Sequence, residues 1–177
     1  MQILGEIFMK LFGFQAAWGL VDINPFVMKV ENVMRFFAIE HSLEYQPTNN
    51  HSPTGLLPYF SDGPDVICDS DAIIAQLNIT AQLNLDSHLS ASQKSIALLM
   101  KRVVQEHLYP IMLFSRTIDP LGLAVFKQTF FDNVTDEALK KVTDNISNKL
   151  SALGIDCADT QKVYALGLEN IAAIDTL

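Results

Sequence analysis

An asparagine and a proline, Asn24-Pro25, stand at the start of an apolar pattern with helical spacing. Asparagine is a frequent N-cap because its side-chain oxygen accepts a hydrogen bond from a free backbone N–H. Proline suits the first helical turn because the donor that it lacks would be unpaired there. The asparagine amide can also donate a hydrogen bond to an anion near the helix start, but it is not a nucleophile. Disulfide exchange through this position is therefore excluded.

The residues around Asn24 offer no group of the kind that usually activates a thiol. From Met1 to His41 the sequence contains no Ser, Thr, Tyr or Cys. Thiol chemistry near neutral pH usually needs a hydroxyl that stabilises a thiolate or a cysteine that becomes one. Three interpretations of Asn24 follow: an unusual catalytic site, a binding site without catalysis, or only a helix cap.

Two features farther along the chain point to a ligand. Pro58 lies within the apolar run 56–60, and a proline in a strand belongs at a sheet edge or a deliberate break because it cannot donate to the ladder. A cis bond there would leave the backbone of Leu57 open to pair with a ligand backbone. Asp69-Ser70 opens a helix, whose free N–H groups attract a carboxylate. Together these features suit a small peptide such as glutathione. Separately, they are explained by a strand-edge proline and a plain N-cap.

The elements that must position these residues follow a β-α-β-β-β-α order. The crossover through the first helix predicts a parallel pair of strands with an antiparallel hairpin attached. We expect the first helix to present Phe26, Val30, Val33, Met34, Phe37 and Ala38 on one apolar face. The predicted segments are a strand over 8–14, a helix from Asn24-Pro25, a strand over 43–45, a hairpin over 56–68 with its turn at 61–64, and a helix from Asp69 or Ser70.

The remainder of the sequence predicts helices alone. Ser90 and Gln93 form a capping-box pattern at the start of a long helix, and Pro110 should kink that helix. A break follows at Asp119-Pro120. An amphipathic stripe over 139–153 ends at Gly154, and a last helix begins near Asp159 or Thr160.

Composition excludes several classes of function. The 177 residues carry a net charge of −8, and no cluster of cations could follow a nucleic-acid backbone. No stretch approaches the roughly 20 uninterrupted apolar residues that span a bilayer, and the N-terminus, with Glu6 before any basic residue, does not resemble a secretory signal. The two cysteines and four histidines show no metal-binding spacing, so we expect no metal. These features favour a cytoplasmic protein with free thiols.

Several motifs resemble the glutathione S-transferase superfamily. They are PTGLLPYF at 53–60 and VICDSDAII at 66–74, which resemble the N-terminal domain of these proteins. LFGF at 11–14, NPFVMK at 24–29, QEHLY at 105–109 and VYALG at 163–167 resemble one branch within it. That branch includes the failed-axon-connections proteins, the metaxins and many bacterial transferase-like proteins.

The resemblance implies roles for five residues. Leu57 would pair through its main chain with the cysteinyl backbone of glutathione, and Pro58 would be a cis proline that shapes the site. Asp69 and Ser70 would receive the γ-glutamyl end, and Asn24 would lie nearest the thiol. Leu56 departs from the pattern, because many relatives carry a lysine near this position.

The resemblance also implies the domain organisation. A thioredoxin-like N-terminal domain is expected over 8–85 and an all-α domain over 88–177, which would be incomplete because relatives continue into a further helix. It implies glutathione as co-substrate, a small electrophile as partner and a homodimer. Two functions remain open: a glutathione transferase, and a non-catalytic member that mediates protein interaction, as metaxins do.

Overall fold

A four-stranded mixed sheet occupies the first part of the chain in the computed structural model, which describes residues 9–130 and 134–177. The strands lie in the order β2-β1-β3-β4. Helices α1 and α2 pack on the sheet to form its core. The elements are β1 Met9–Gly13, α1 Pro25–Phe36, β2 Ser42–Tyr45, β3 Tyr59–Asp62, β4 Asp65–Cys68 and α2 Ser70–Thr80.

The directions of the strands are those that the sequence predicts. Strand β1 pairs in parallel with β2 and antiparallel with β3, which in turn pairs antiparallel with β4. The predicted thioredoxin-like β-α-β-β-β-α class is therefore confirmed. Phe8, the predicted start of the first strand, and the segment before it, which includes Glu6, lie outside the described residues.

The hairpin is tighter than predicted. Strand β3 begins only at Tyr59, directly after Pro58, and continues through Asp62, so that the turn consists of Gly63 and Pro64 alone. Gly63 has a φ of 70°, the sign that the first central residue of a type II′ turn requires. Proline suits the second central position because its ring holds φ near −65°.

Helix α1 buries a face rotated from the predicted one. Its buried residues are Val27, Val30, Glu31 and Met34, whereas Phe26, Val33 and Phe37 are only half-buried. The core that receives this face is formed by Leu11, Leu57, Tyr59, Phe60, Ile73 and Leu77. The rotation places the carboxylate of Glu31 on the buried face of the helix, where it needs polar partners.

The second part of the chain is helical, as predicted. It separates from the first part between His88 and Leu89. Ser90 and Gln93 form the predicted capping box, a π-helical segment over Val103–Leu108 precedes Pro110 in place of a simple kink, and helix α5 was not predicted. The helices are α3 Ala91–Arg102, α4 Tyr109–Thr117, α5 Pro120–Phe130, α6 Asp136–Ala152 and α7 Thr160–Asp175. Each helix in the described ranges is too short or too polar to cross a bilayer.

Candidate functional site

Asn24 joins the start of α1 to the segment before β3. Its Oδ1 accepts a hydrogen bond from the Phe26 N–H at 2.9 Å, which makes it the N-cap of the helix. Its Nδ2 donates to the carbonyl oxygen of Leu57 at 3.1 Å. An amide nitrogen carries two hydrogens, so one N–H of Asn24 is left for another acceptor.

Side chains hold two successive carbonyl groups ahead of Pro58. Ser52 Oγ donates to the carbonyl of Leu56 at 2.5 Å, and Asn24 holds that of Leu57. The Leu57–Pro58 peptide bond is cis, as the resemblance implies. The Leu57 N–H has no acceptor among the described residues, although the residue is only 8% exposed. A backbone donor is therefore left to pair with a ligand just ahead of β3.

Asp69 caps helix α2 in an unusual backbone conformation. Its Oδ1 accepts from the N–H groups of Asp71 and Ala72 at 2.8 and 3.1 Å. Its φ of 78° lies in the region that L-residues rarely adopt, and such strained residues cluster at ligand sites. The carboxylate of Asp69 thus uses two donors that an external anion could have taken, which leaves the N–H of Ser70 at the helix start.

A lysine lies beside Ser70. Lys29, on α1, donates from Nζ to Ser70 Oγ at 3.2 Å and also to Asp71 Oδ1. Ser70 is 2% exposed, whereas the side chains of Lys29 and Asp71 are 27% and 41% exposed. Because Oγ accepts from Lys29, the serine proton must point elsewhere, and the described part of the chain offers it no acceptor. We call Lys29, Ser70 and Asp71 the open cluster.

A second charged residue on the same helix, Glu31, is buried, and one of its two partners, Arg35, is exposed. Glu31 Oε1 accepts from Arg35 Nε at 2.5 Å, and its Oε2 lies 2.7 Å from His41 Nε2. His41 Nδ1 in turn lies 2.8 Å from the carbonyl of Ile39. Burial alone would raise the pKa of Glu31, but the hydrogen bonds from His41 and Arg35 outweigh it and lower that pKa. We call Glu31, Arg35 and His41 the closed cluster.

Asp22 is a buried acid next to Asn24. It has no exposed surface; its Oδ1 accepts from the Asn24 N–H at 2.6 Å, and its Oδ2 has no hydrogen-bond partner within the described ranges. Burial raises the pKa of Asp22 to about 6, against the opposing effect of nearby backbone N–H groups. A Cβ at Gly13 would overlap this carboxylate and lie 2.7 Å from Val27 Cγ1, so the acid needs a glycine opposite it.

The structure brings some of the predicted site residues into contact. Asn24 and Leu57 are directly hydrogen-bonded, and Ser70 is tied to α1 through Lys29. Sequence reasoning missed Lys29, Asp71 and Asp22 as parts of the site. The only local signal for Lys29 was a cation between Met28 and Val30 in an otherwise apolar turn. In the portion that the structure describes, no His, Cys, Asp or Glu group could hold a metal ion.

Comparison with known proteins identifies the family. The model of the glutathione S-transferase N-terminal domain matches residues 25–122, more than half of the 177 residues. The chain belongs to the glutathione S-transferase family. The matched stretch runs from the first residue of α1 into α5, so it contains Leu57, Pro58, Asp69 and Ser70.

Two curated proteins are similar to part of the chain. An isoprene-epoxide–glutathione S-transferase of Rhodococcus sp. (strain AD45) is 40% identical over 104 residues, 56% of this chain and 43% of that protein. The failed axon connections protein of Drosophila melanogaster is 26% identical over 110 residues, 62% of this chain and 26% of that protein. The predicted resemblance to this branch is confirmed. The chain matches less than half the length of either relative.

Among solved structures, glutathione S-transferase III in its apo form aligns with a TM-score of 0.46 and 17% identity. The alignment covers 82% of this chain and 67% of that one.

Proposed function

We propose that the chain binds glutathione along the edge formed by Leu57 and the start of α2. The observation that carries the proposal is a pair of donors without acceptors in the described structure, the Leu57 N–H and the Ser70 hydroxyl, both in nearly buried residues. Buried donors normally have partners. Glutathione offers a backbone carbonyl for the first and a carboxylate for the second.

The proposed assignment follows the chemistry of the tripeptide. Leu57, next to Pro58, pairs by its N–H with the cysteinyl carbonyl of glutathione. Ser70 donates to the γ-glutamyl carboxylate, and Asp69 holds the helix start in the conformation that presents Ser70. The second amide hydrogen of Asn24 faces the thiol. Because the Leu57 carbonyl already accepts from Asn24, we assign the backbone pairing to the Leu57 N–H alone.

The proposal extends to conjugation of glutathione with a small epoxide, because the Rhodococcus relative is named for an epoxide substrate. The thiolate sulfur attacks an epoxide carbon, the carbon–oxygen bond breaks, and the alkoxide takes a proton from water, so that no group leaves. Asn24 would stabilise the thiolate by one N–H···S hydrogen bond aided by the helix dipole. This is a weaker device than a hydroxyl or a cysteine, so slow turnover is expected.

A non-catalytic role in protein interaction is the second candidate. Two observations favour it: the similarity to failed axon connections and the lack of Ser, Thr, Tyr and Cys between Met1 and His41. In this role, glutathione or a related peptide would bind without reacting.

The location and assembly of the chain belong to the same proposal. Both cysteines are free thiols, which supports a reducing compartment such as the cytoplasm. A homodimer is proposed from family membership alone, and light scattering of the purified chain tests it: a monomeric mass would contradict it.

Calorimetric titration with glutathione tests binding. We expect saturable heat at millimolar ligand or below, and an affinity about tenfold weaker in Ser70→Ala because a hydrogen bond to a charged group is lost. Ser95→Ala is the matched control, since Ser95 is an exposed serine whose hydroxyl bonds within its own helix. No saturable binding by the wild-type chain would refute the proposal, and an unchanged affinity in Ser70→Ala would refute the assignment of Ser70.

An epoxide assay separates the enzyme from the binding module. The chain is incubated with glutathione and a small epoxide, and the thioether adduct is measured by mass spectrometry above the uncatalysed rate. Enzymatic turnover that falls in Asn24→Ala supports the first candidate. Binding of glutathione with no excess adduct would contradict the enzyme and leave the non-catalytic candidate, and turnover unchanged in Asn24→Ala would show that the amide has no part.

A further inference from the structure

We propose that Lys29 is a specificity residue that selects ligands with a free α-carboxylate at the γ-glutamyl end, by exchanging its contact with Asp71 for that carboxylate. The inference rests on the proposed glutathione site and concerns a residue on α1. Three properties of the open cluster carry it: its geometry, its exposure and the orientation of the Ser70 hydroxyl.

The geometry places a cation within reach of whatever Ser70 binds. Lys29 Nζ lies 3.2 Å from Ser70 Oγ. A carboxylate oxygen that accepts the serine proton would lie about 2.7 Å from Oγ. With a roughly tetrahedral angle at Oγ, that oxygen is about 5 Å from Nζ. Rotation of the flexible lysine side chain closes this gap to hydrogen-bonding distance.

The present partner of Lys29 is replaceable. Asp71 has a side chain that is 41% exposed, and an ion pair with that much access to water contributes little free energy. The Lys29 side chain is 27% exposed. Its electrostatic interaction with a group beside Ser70 is therefore screened less than one with a group on the solvent side.

The orientation of the Ser70 hydroxyl favours a carboxylate over an uncharged group as the ligand. Lys29 donates to Oγ, so the serine proton points away from the lysine, and none of the described residues accepts it. An incoming carboxylate therefore meets the hydroxyl and the Ser70 N–H at the start of α2 first, and Lys29 reaches it by rotating away from Asp71. An uncharged group at the same place would use the hydroxyl but would not draw Lys29 from Asp71.

The test measures affinity by calorimetry for wild type, Lys29→Met and Lys29→Arg with two probes. One probe is glutathione, and the other is glutathione amidated at its glycine carboxylate, which keeps the α-carboxylate. We expect Lys29→Met to weaken both probes about tenfold, and Lys29→Arg to restore most of the loss. Lys10→Met is the matched control, because Lys10 forms an exposed ion pair with Glu44 on strand β2. The Lys10→Met variant should bind both probes as tightly as wild type does.

A third probe, 4-aminobutyryl-cysteinyl-glycine, lacks only the α-carboxylate. Wild type should bind it no more tightly than Lys29→Met binds glutathione. Three outcomes overturn the inference: equal affinity of Lys29→Met and wild type for glutathione, loss confined to the probe with a free glycine carboxylate, or wild-type affinity for the third probe equal to that for glutathione. If wild type binds none of the three, the proposed function itself fails, so the two failures are distinguishable.

Asp71→Asn provides the opposite change. It keeps the shape of the side chain while removing the charge that competes for Lys29, and we expect glutathione to bind about threefold more tightly. If Asp71→Asn weakens binding as much as Lys29→Met does, the two residues act together only to shape the helix start, and the exchange does not occur.

Discussion

Helix α1 contributes Lys29 to the open cluster and Glu31 to the closed cluster. These two residues differ in their access to water and in the number of their partners. In the closed cluster the Glu31 side chain is 2% exposed, and each of its oxygens has a partner. Both nitrogens of His41 lie within hydrogen-bonding distance of oxygens, those of Ile39 and Glu31. In the open cluster, Lys29 and Asp71 reach solvent, and the serine proton is unused.

The comparison separates polar groups that stabilise the fold from groups that are available to a ligand. A buried charge is tolerated only when it is paired and hydrogen-bonded, so the partners of Glu31 cannot be exchanged without a large loss. The ion pair in the open cluster is weak enough to exchange. The two clusters therefore predict opposite responses to substitution. A change in the closed cluster should lower stability without altering ligand selection, and a change in the open cluster should alter ligand selection with little effect on stability.

Removing Glu31 should have the largest effect. Glu31→Ala leaves His41 and Arg35 without their acceptor and opens a cavity, so the free energy of unfolding should fall by about 4 kcal/mol. Urea unfolding followed by the fluorescence of Trp18, the single tryptophan, measures it in the first part of the chain. Glu44→Ala is the control: the Glu44 side chain is 41% exposed, forms an ion pair with Lys10 and accepts a hydrogen bond from Ser42, and the loss should stay below about 1 kcal/mol.

The acid response of Glu31 has a defined sign. Its folded pKa lies below the ordinary 4.5, so its stabilising effect is present above that pH and is lost as the pH falls through the folded pKa. The difference between wild type and Glu31→Ala should therefore be constant from pH 6 upward and shrink in acid. A difference that grows in acid would show that Glu31 is neutral in the folded protein.

Asp22 sharpens the comparison because it is buried like Glu31 but only partly paired. Its pKa is raised from 3.8 to about 6, so folding favours the protonated form. Stability is lost as the pH rises from about 4 to 6, by up to about 3 kcal/mol, and the loss stays constant above that. Asp22→Asn keeps an acceptor for the Asn24 N–H and removes the charge. The variant should therefore be more stable than wild type at pH 8, and this advantage should disappear at pH 4.

The same urea unfolding, repeated between pH 4 and 8, checks this prediction. Asp65→Asn is the control, because Asp65 is an exposed aspartate on β4. If the two variants show the same pH profile, burial does not perturb Asp22 in the way described. A profile with the opposite slope would require a cation beside Asp22.

Asn24 stabilises the fold and also keeps an N–H for a ligand. Asn24→Ala loses the helix cap and the hydrogen bond to Leu57, and we expect a loss of about 2 kcal/mol in the free energy of unfolding. Asn24→Ser keeps a cap but does not reach Leu57, so it should lose about 1 kcal/mol. Equal losses in the two variants, measured by the same unfolding assay, would show that the Leu57 contact adds nothing to stability.

The parts of the fold that sequence predicts are those fixed by local signals. Asn24-Pro25, Asp69 and the Ser90–Gln93 box mark helix starts because a cap acts within three residues. Helix α5 also begins with a local signal, because Asp119 caps it and Pro120 is its first residue, but Asp119-Pro120 was interpreted only as a break. The rotation of α1 by one position depended on the core that receives it. Element types followed from local pattern, whereas faces followed from packing.

The candidate site was less predictable because its key contacts are distant in sequence. Asn24 contacts Leu57 across 33 positions and Lys29 contacts Ser70 across 41. Motif similarity indicated Leu57, Pro58, Asp69 and Ser70, but it gave no reason to connect a lysine on α1 with the start of α2. The burial of Asp22 likewise depends on Gly13, a residue on another element.

The smallest expected effect on stability is the one that decides the comparison. Lys29→Met removes the weak ion pair with Asp71, and the free energy of unfolding should fall by less than about 1 kcal/mol, as in Lys10→Met. The same variant should lose about tenfold in glutathione affinity, which Lys10→Met should not. If Lys29→Met instead destabilised the protein as strongly as Glu31→Ala, its charge would be part of the fold, and Lys29 could not leave Asp71 for a ligand.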